Sequence, residues 1–282
     1  MRLRSRNSAE EVGSPVPESS RAVLTTWQRR AVWLELMRNL AVRDIEIRYK
    51  HSLLGLYWAL INPLLTAGIY GFVFGVIFHA GSGKIPYVVF LFTGLTFWNI
   101  FANGIMSATS SVSTNASLVA KIYFPRVILP TAAVLARLID FAFSVVVLAI
   151  VTAIFRTGVT VWLLAVPLLV VVQLGMTLGL GYMTAALNVL YRDISQLIGL
   201  VLMIWLYLSP VMYAASSASP NLRRLLLLNP MGAILEAERN LIFLGYITDW
   251  PYLIAAVAWS IIFFVVGRMV FRRIEPLFAE VL

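Results

Sequence analysis

Arg137 and Asp140 stand three residues apart inside an otherwise apolar run from Val127 to Phe155. On a helix they share a face and can pair. Charges within a span are costly unless they pair or face a cavity, so they point to a substrate path or to a structural ion pair near the inner interface. Other reactive types are sparse. His51 falls at one interface and His79 in a short turn, and no HExxH, GxSxG or paired-carboxylate pattern accompanies them. There is no cysteine, which removes disulfides, thiol nucleophiles, Cys-ligated zinc and iron–sulfur clusters. The string GSGK at Gly81–Lys84 fails as a phosphate loop. Phe78 takes the first glycine position, Ile85 replaces the magnesium-binding Ser or Thr, and no strand precedes it. No catalytic residue, metal or cofactor is expected in this chain, so energised work would need a second protein.

Aromatic rings are the other group with chemical potential. Trp58, Trp162, Trp250 and Tyr252 fit an interfacial belt. Tyr70, Phe74, Trp98 and Tyr207 lie deeper. Rings there pack in lipid or core, or line a path along which flat sugar faces slide.

The elements that hold these residues are apolar. Of 282 residues, 60% are hydrophobic and 12% charged, where a soluble domain carries about 25% charged residues. The net charge of +9 comes from basic loops rather than a basic patch in a polar domain, which argues against nucleic acid. Residues 1–25, rich in Arg, Ser, Glu and Pro, read as a disordered cytoplasmic tail without the apolar stretch of a signal peptide. Residues 27–50 have near-helical apolar spacing with charges between, which predicts an amphipathic helix on the inner membrane surface. Six spans follow at about 53–78, 86–106, 127–155, 161–190, 194–212 and 252–271. With both termini inside, sixteen Lys/Arg fall on cytoplasmic segments, five on external ones and Arg137 within a span.

Two connections carry helices of their own. Residues 107–126 give a small-polar lead and a short amphipathic helix over 116–123, stopped before Pro125. Residues 213–251 hold two helical patterns split by Asn229-Pro230, read as re-entrant helices in the outer leaflet, with Glu236 and Arg239 on one face. Gly71-x-x-x-Gly75 and Gly175-x-x-x-Gly179 allow close helix packing, within the protomer rather than as a dedicated dimer motif. The expected fold is an all-α, six-span membrane domain over residues 26–282.

Four stretches then resemble, in order, a known family. RDIEIRYKHSLLGLYWALINPL (residues 43–64), LVAKIYFPRVILP (118–130), YRDISQLIGLVLMIWLYLSPVMY (191–213) and NPMGAILEAERNLIFLG (229–245) are similar to segments of ABC-2-type permeases of the polysaccharide-export group. The extended tail and the acidic Glu46 depart from that pattern. The resemblance implies a homodimer in the bacterial inner membrane, served by two copies of a separate ABC ATPase that holds the ATP and magnesium. Its members export lipid-linked O-antigen, capsular polysaccharide, teichoic acid or cell-wall glycan. An ABC-2 exporter of small amphiphiles is the alternative, and a membrane-embedded glycan-processing enzyme a more distant one.

Three residue groups are nominated on this basis. Asn115, Leu118, Lys121, Tyr123 and Phe124 would dock the ATPase, with Tyr123 and Phe124 as apolar anchors and Lys121 as a charged rim. Arg43, Arg48, Tyr49 and Lys50 would meet anionic headgroups, including that of a lipid-diphosphate carrier, at the inner interface. Tyr70, Phe74, Trp98 and Tyr207 would line the substrate path.

Overall fold

The computed structural model describes residues 26–49, 57–70, 72–73, 85–122, 124–215, 218–247 and 249–281. Every regular element among them is helical. In chain order they are α1 (Thr26–Tyr49), α2 (Trp58–Tyr70), α3 (Tyr87–Thr114), α4 (Ala116–Lys121), α5 (Ile128–Ile154), α6 (Val166–Leu190), α7 (Ile194–Leu208), α8 (Pro220–Leu228), α9 (Pro230–Arg239), α10 (Trp250–Ile274) and α11 (Phe278–Val281). The nominal tail, residues 1–25, lies outside the described residues, as does part of the first expected span.

Among the described residues, four stretches are long and apolar enough to cross a membrane: Tyr87–Thr114, Ile128–Ile154, Val161–Leu190 and Trp250–Leu277. The third joins the 3₁₀ turn Val161–Ala165 to α6, whose first turn accepts proline because its N–H would be unbonded anyway. α7 is apolar but only 15 residues long, and α2 spans 13 residues with Pro63 inside it. A 30 Å hydrocarbon layer needs about 20 helical residues, so neither α7 nor α2 reaches across by length alone.

α3 is the central element. Of its apolar stretch 78% is buried, against 22–33% for the other three long helices. It starts after Pro86, and Phe90 N–H bonds back to the Pro86 carbonyl at 3.0 Å. It also outlasts the apolar run that predicted an end near Met106, continuing two more turns through serines and threonines to Thr114. The hydroxyls of Thr109, Ser110, Ser111, Ser113 and Thr114 each donate back to a carbonyl three or four residues earlier, which keeps the polar segment helical.

α6 and α10 pack through glycine. A Cβ on Gly267 would lie 1.9 Å from the Gly179 carbonyl oxygen, and one on Gly175 would lie 2.9 Å from Ser260 Oγ. Ser260 Oγ also donates to the Val172 carbonyl at 2.6 Å. Gly175-x-x-x-Gly179 therefore serves a contact within the protomer; Gly71 and Gly75 fall outside the described residues.

The end of the bundle that carries α4 and α11 has a second core. Leu40 of α1, Val119 of α4, Phe124, Phe271 of α10 and Phe278 of α11 are all buried there. After α10 the chain turns back through a 3₁₀ turn at Glu275–Leu277, and Arg126 N–H donates to Glu275 Oε1 at 3.0 Å. At the other end, α8 and α9 break at Asn229-Pro230 as the sequence suggests. Asn229 Oδ1 caps α9 at Met231 N–H (3.1 Å) and also accepts from Trp205 Nε1 at 2.8 Å, tying the hairpin to α7.

Candidate functional site

The charged pair inside α5 is one part of a three-ion arrangement. Arg48, at the end of α1, places Nη1 2.5 Å from Asp140 Oδ2, and Arg137 Nη1 is 3.2 Å from the same oxygen. Arg48 Nη2 also donates to the Ala136 carbonyl (3.2 Å), and Arg137 Nε donates to Ser107 Oγ on α3 (2.7 Å). The side chains of Arg48, Arg137 and Asp140 are 24%, 28% and 29% exposed, so none of the three is fully buried within the protomer. The Arg48 contact joins residues 92 apart in sequence, and it pins the surface helix to the span.

A second tie lies nearer α4. Arg43 Nη2 donates to Asn115 Oδ1 at 2.6 Å and sits 3.3 Å from Asp44 Oδ1. Asn115 in turn donates from Nδ2 to the Ser111 carbonyl at 2.8 Å. One residue nominated for headgroups thus holds one nominated for the ATPase, at the junction of α3 and α4. Tyr49 closes α1, while Lys50 is outside the described residues.

Two cavities flank these ions. One, of about 500 Å³, is enclosed by α2, α3 and α5 and lined by Trp58, Asn62, Thr96, Asn99, Asn103 and Ser144 among others. The other, of about 370 Å³, lies between α1, the polar end of α3 and α5, with Arg43, Arg48, Ser107, Ser110 and Thr114 in its wall. Arg137 borders both. Along α3, residues 99, 103, 107, 110 and 114 recur at helical spacing and form one polar stripe, about 22 Å long at 1.5 Å per residue. Asn99, Asn103 and Thr114 are exposed although the rest of the helix is largely buried. The exposed positions of α7 are instead mostly apolar, among them Leu197, Leu200, Val201, Met203 and Ile204, which suit lipid or another apolar surface. Amides at membrane depth require water, a polar ligand or another polar chain opposite them.

The stripe was not recognised in the sequence. Ser107–Thr114 read as a loop, and the signal available was the four-residue spacing from Asn99 onward.

The nominated aromatics divide. Trp98 is 4% exposed and packs edge-to-face on Phe101 at 5.5 Å, inside the protomer and off both cavities. Tyr207 is 57% exposed on α7. Tyr70 belongs to α2, and Phe74 is outside the described residues. In the segment nominated to dock the ATPase, Phe124 is only 7% exposed and lies in the second core, and Leu118 packs against that core. Lys121 is exposed, as is Ile122 at 57%; Tyr123 is not described.

The outer hairpin holds a feature the sequence did not reveal. Arg239, read as external and paired with Glu236, is 2% exposed. Its guanidinium donates to the Pro210 carbonyl and, at 2.7 Å, to that of Val211. It also lies 3.8 Å from the centre of the Phe90 ring. The room for it is Gly94, where a Cβ would fall 2.0 Å from Nη2. Glu238 beside it is fully buried with neither carboxylate oxygen hydrogen-bonded. Burial pushes the Glu238 carboxyl well above its usual range, against the opposing pull of Arg239.

A family model for the ABC-2 type transporter matches residues 35–243. The chain belongs to that family. It is a multi-pass membrane protein. The O-antigen export system permease protein RfbA of Klebsiella pneumoniae is 31% identical over 252 residues, covering 88% of this chain and 95% of that protein. RfbA of Myxococcus xanthus is 29% identical over 247 residues, covering 87% and 94%. The polysialic acid transport protein KpsM of Escherichia coli is 23% identical over 245 residues, covering 84% and 92%.

Proposed function

We propose that this ABC-2 chain is the membrane permease subunit of an ATP-driven exporter of a lipid-linked polysaccharide, resident in the bacterial inner membrane. The observation that carries the reading is near end-to-end similarity to permeases named for O-antigen export. The chemistry of the groove supports it independently. Amides and hydroxyls offer many weak, exchangeable hydrogen bonds to a polyol, and Trp58 and Phe141 in the same wall offer ring faces.

In this reading α2 and α7, extended by their neighbouring segments, complete six spans, and both termini are cytoplasmic. Two copies form the path and two ATPase subunits carry ATP and magnesium. The Asn115–Phe124 segment docks the ATPase through its exposed Lys121 and Ile122, while Phe124 holds the segment on the permease. Tyr70, Phe74 and Tyr207 remain path candidates, whereas Trp98 acts by shaping α3. Arg43, Arg48, Tyr49 and Lys50 meet the headgroup.

Replacing Asn99 and Asn103 together with leucine tests the groove. Export should fall while the complex with the ATPase still assembles. Undiminished export by the double variant would remove the groove from the path.

A further inference from the structure

The two cavities are separated by the three ions. Asp140 borders the intramembrane cavity, Arg48 the interfacial one, and Arg137 both. Arg48 comes from α1 and the other two from α5, so the wall is a contact between elements rather than a continuous piece of one. About a quarter of each side chain is left uncovered by the protomer.

The charges on the two sides are unequal. Arg43, Arg48 and Arg137 line the interfacial cavity against a single carboxylate, Asp44, while Asp140 sets one negative charge between Arg48 and Arg137 from the far side. Ser110 and Thr114 add hydroxyls to the same wall. Guanidinium groups bind phosphoryl oxygens at least as well as they bind a carboxylate, through forked, charge-assisted bonds.

We propose that the interfacial cavity is a phosphoryl-binding site whose ligand replaces Asp140 as the counter-ion of Arg48 and Arg137, opening the wall to the cavity above. The inference rests on the exporter reading and identifies which part of the substrate starts transport. In the closed state Asp140 satisfies both guanidinium groups. A phosphate entering from the interface takes over that role, and Arg48 then leaves Asp140 and the Ala136 carbonyl together. α1 thereby loses both of these ties to α5. The ligand shifts the equilibrium because it binds the parted arginines better than the joined ones, which is the only way binding can drive such a change. The uncharged stripe beyond the wall then receives the glycan that follows.

Single cysteines test this directly, since the chain has none of its own. The complex with its ATPase is reconstituted in vesicles of phosphatidylethanolamine and phosphatidylglycerol, carrying either Asn103→Cys beyond the wall or Ser110→Cys before it. A water-soluble maleimide is applied from the cytoplasmic face. Ser110→Cys should label readily and Asn103→Cys slowly. A polyprenyl diphosphate in the vesicles should raise the Asn103→Cys rate by about tenfold, within the range of ordinary coupling between sites. A response to the polyprenyl diphosphate alone identifies the carrier lipid as the source of the phosphoryl group; a response to inorganic diphosphate as well identifies the phosphoryl group itself as sufficient. No response to either overturns the proposal. Adding Asp140→Asn should give fast labelling without ligand, and Asp140→Glu should restore the ligand response. Slow labelling in an assembled Asp140→Asn complex would also overturn it. If that variant fails to assemble, the ligand arms decide. Labelling requires no transport, so a complex that opens but moves no glycan defeats the exporter reading and leaves the phosphoryl site standing.

Discussion

Replacing Arg239 with methionine should loosen the outer hairpin from the rest of the bundle. The side chain joins α9 to the turn after α7 through two carbonyls, and to α3 through the face of Phe90. Methionine keeps most of the volume and removes the donors. Each orphaned buried carbonyl costs about 1–3 kcal/mol, and loss of a desolvated cation–π contact about 2 kcal/mol more. Against this, removing a buried charge returns part of a desolvation cost of several kcal/mol. Glu236 and Glu238 both lose an opposing charge when Arg239 is removed, which adds to the cost. The balance is a destabilisation of about 2–4 kcal/mol. Gly94→Ala attacks the same contact from below, since its Cβ would fall 2.0 Å from Nη2. Displacing the guanidinium should cost about 1–3 kcal/mol. Unfolding in mixed detergent micelles, followed by tryptophan fluorescence, gives both values and that of the double variant. Gly94→Ala should cost clearly less in the Arg239→Met background, with a remainder because the Val211 carbonyl lies 2.9 Å from the same Cβ. Additivity within about 0.5 kcal/mol would refute a shared contact.

Gly267→Val should force α6 from α10, because even its first carbon meets the Gly179 carbonyl at 1.9 Å; Gly68→Ala, with open space around it, should leave the detergent melting temperature unchanged. Glu238 has a folded pKa raised by burial, so its neutral form contributes stability at low pH that is lost as pH rises through the raised value. Glu238→Gln should flatten that decline with rising pH in unfolding measurements, and an unchanged pH profile would count against a raised Glu238 pKa. Ile122→Asp should uncouple substrate-stimulated ATP hydrolysis while leaving the permease folded, whereas Phe124→Ala should lower its thermal stability, since that ring is buried in the second core.

Local signals carried far in this sequence. Asn229-Pro230 fixed the break between α8 and α9 because an Asx cap followed by proline suits a helix start and little else. The Gly175/Gly179 spacing likewise announced a close helix contact. Contacts between distant residues were not legible. Arg48 and Asp140 are 92 residues apart, and nothing local to either says that the surface helix reaches the span. Arg239 looked external because sequence places it in an outer loop, yet the missing side chain at Gly94, 145 positions earlier, makes room for its charge inside. The polar end of α3 failed for another reason. Serine and threonine usually mark a loop, but here their hydroxyls bond back along the helix and continue it past the apolar run.

The most direct measurement is where the glycan goes. The gene is deleted in its host, and envelope polysaccharide is fractionated by side of the inner membrane. With an exporter lost, one lipid-linked polymer should accumulate on the cytoplasmic side. The wild-type gene should clear it, and Asn99→Leu/Asn103→Leu should clear it poorly despite normal assembly with the ATPase. An unchanged distribution of every envelope glycan after deletion would contradict polysaccharide export by this chain.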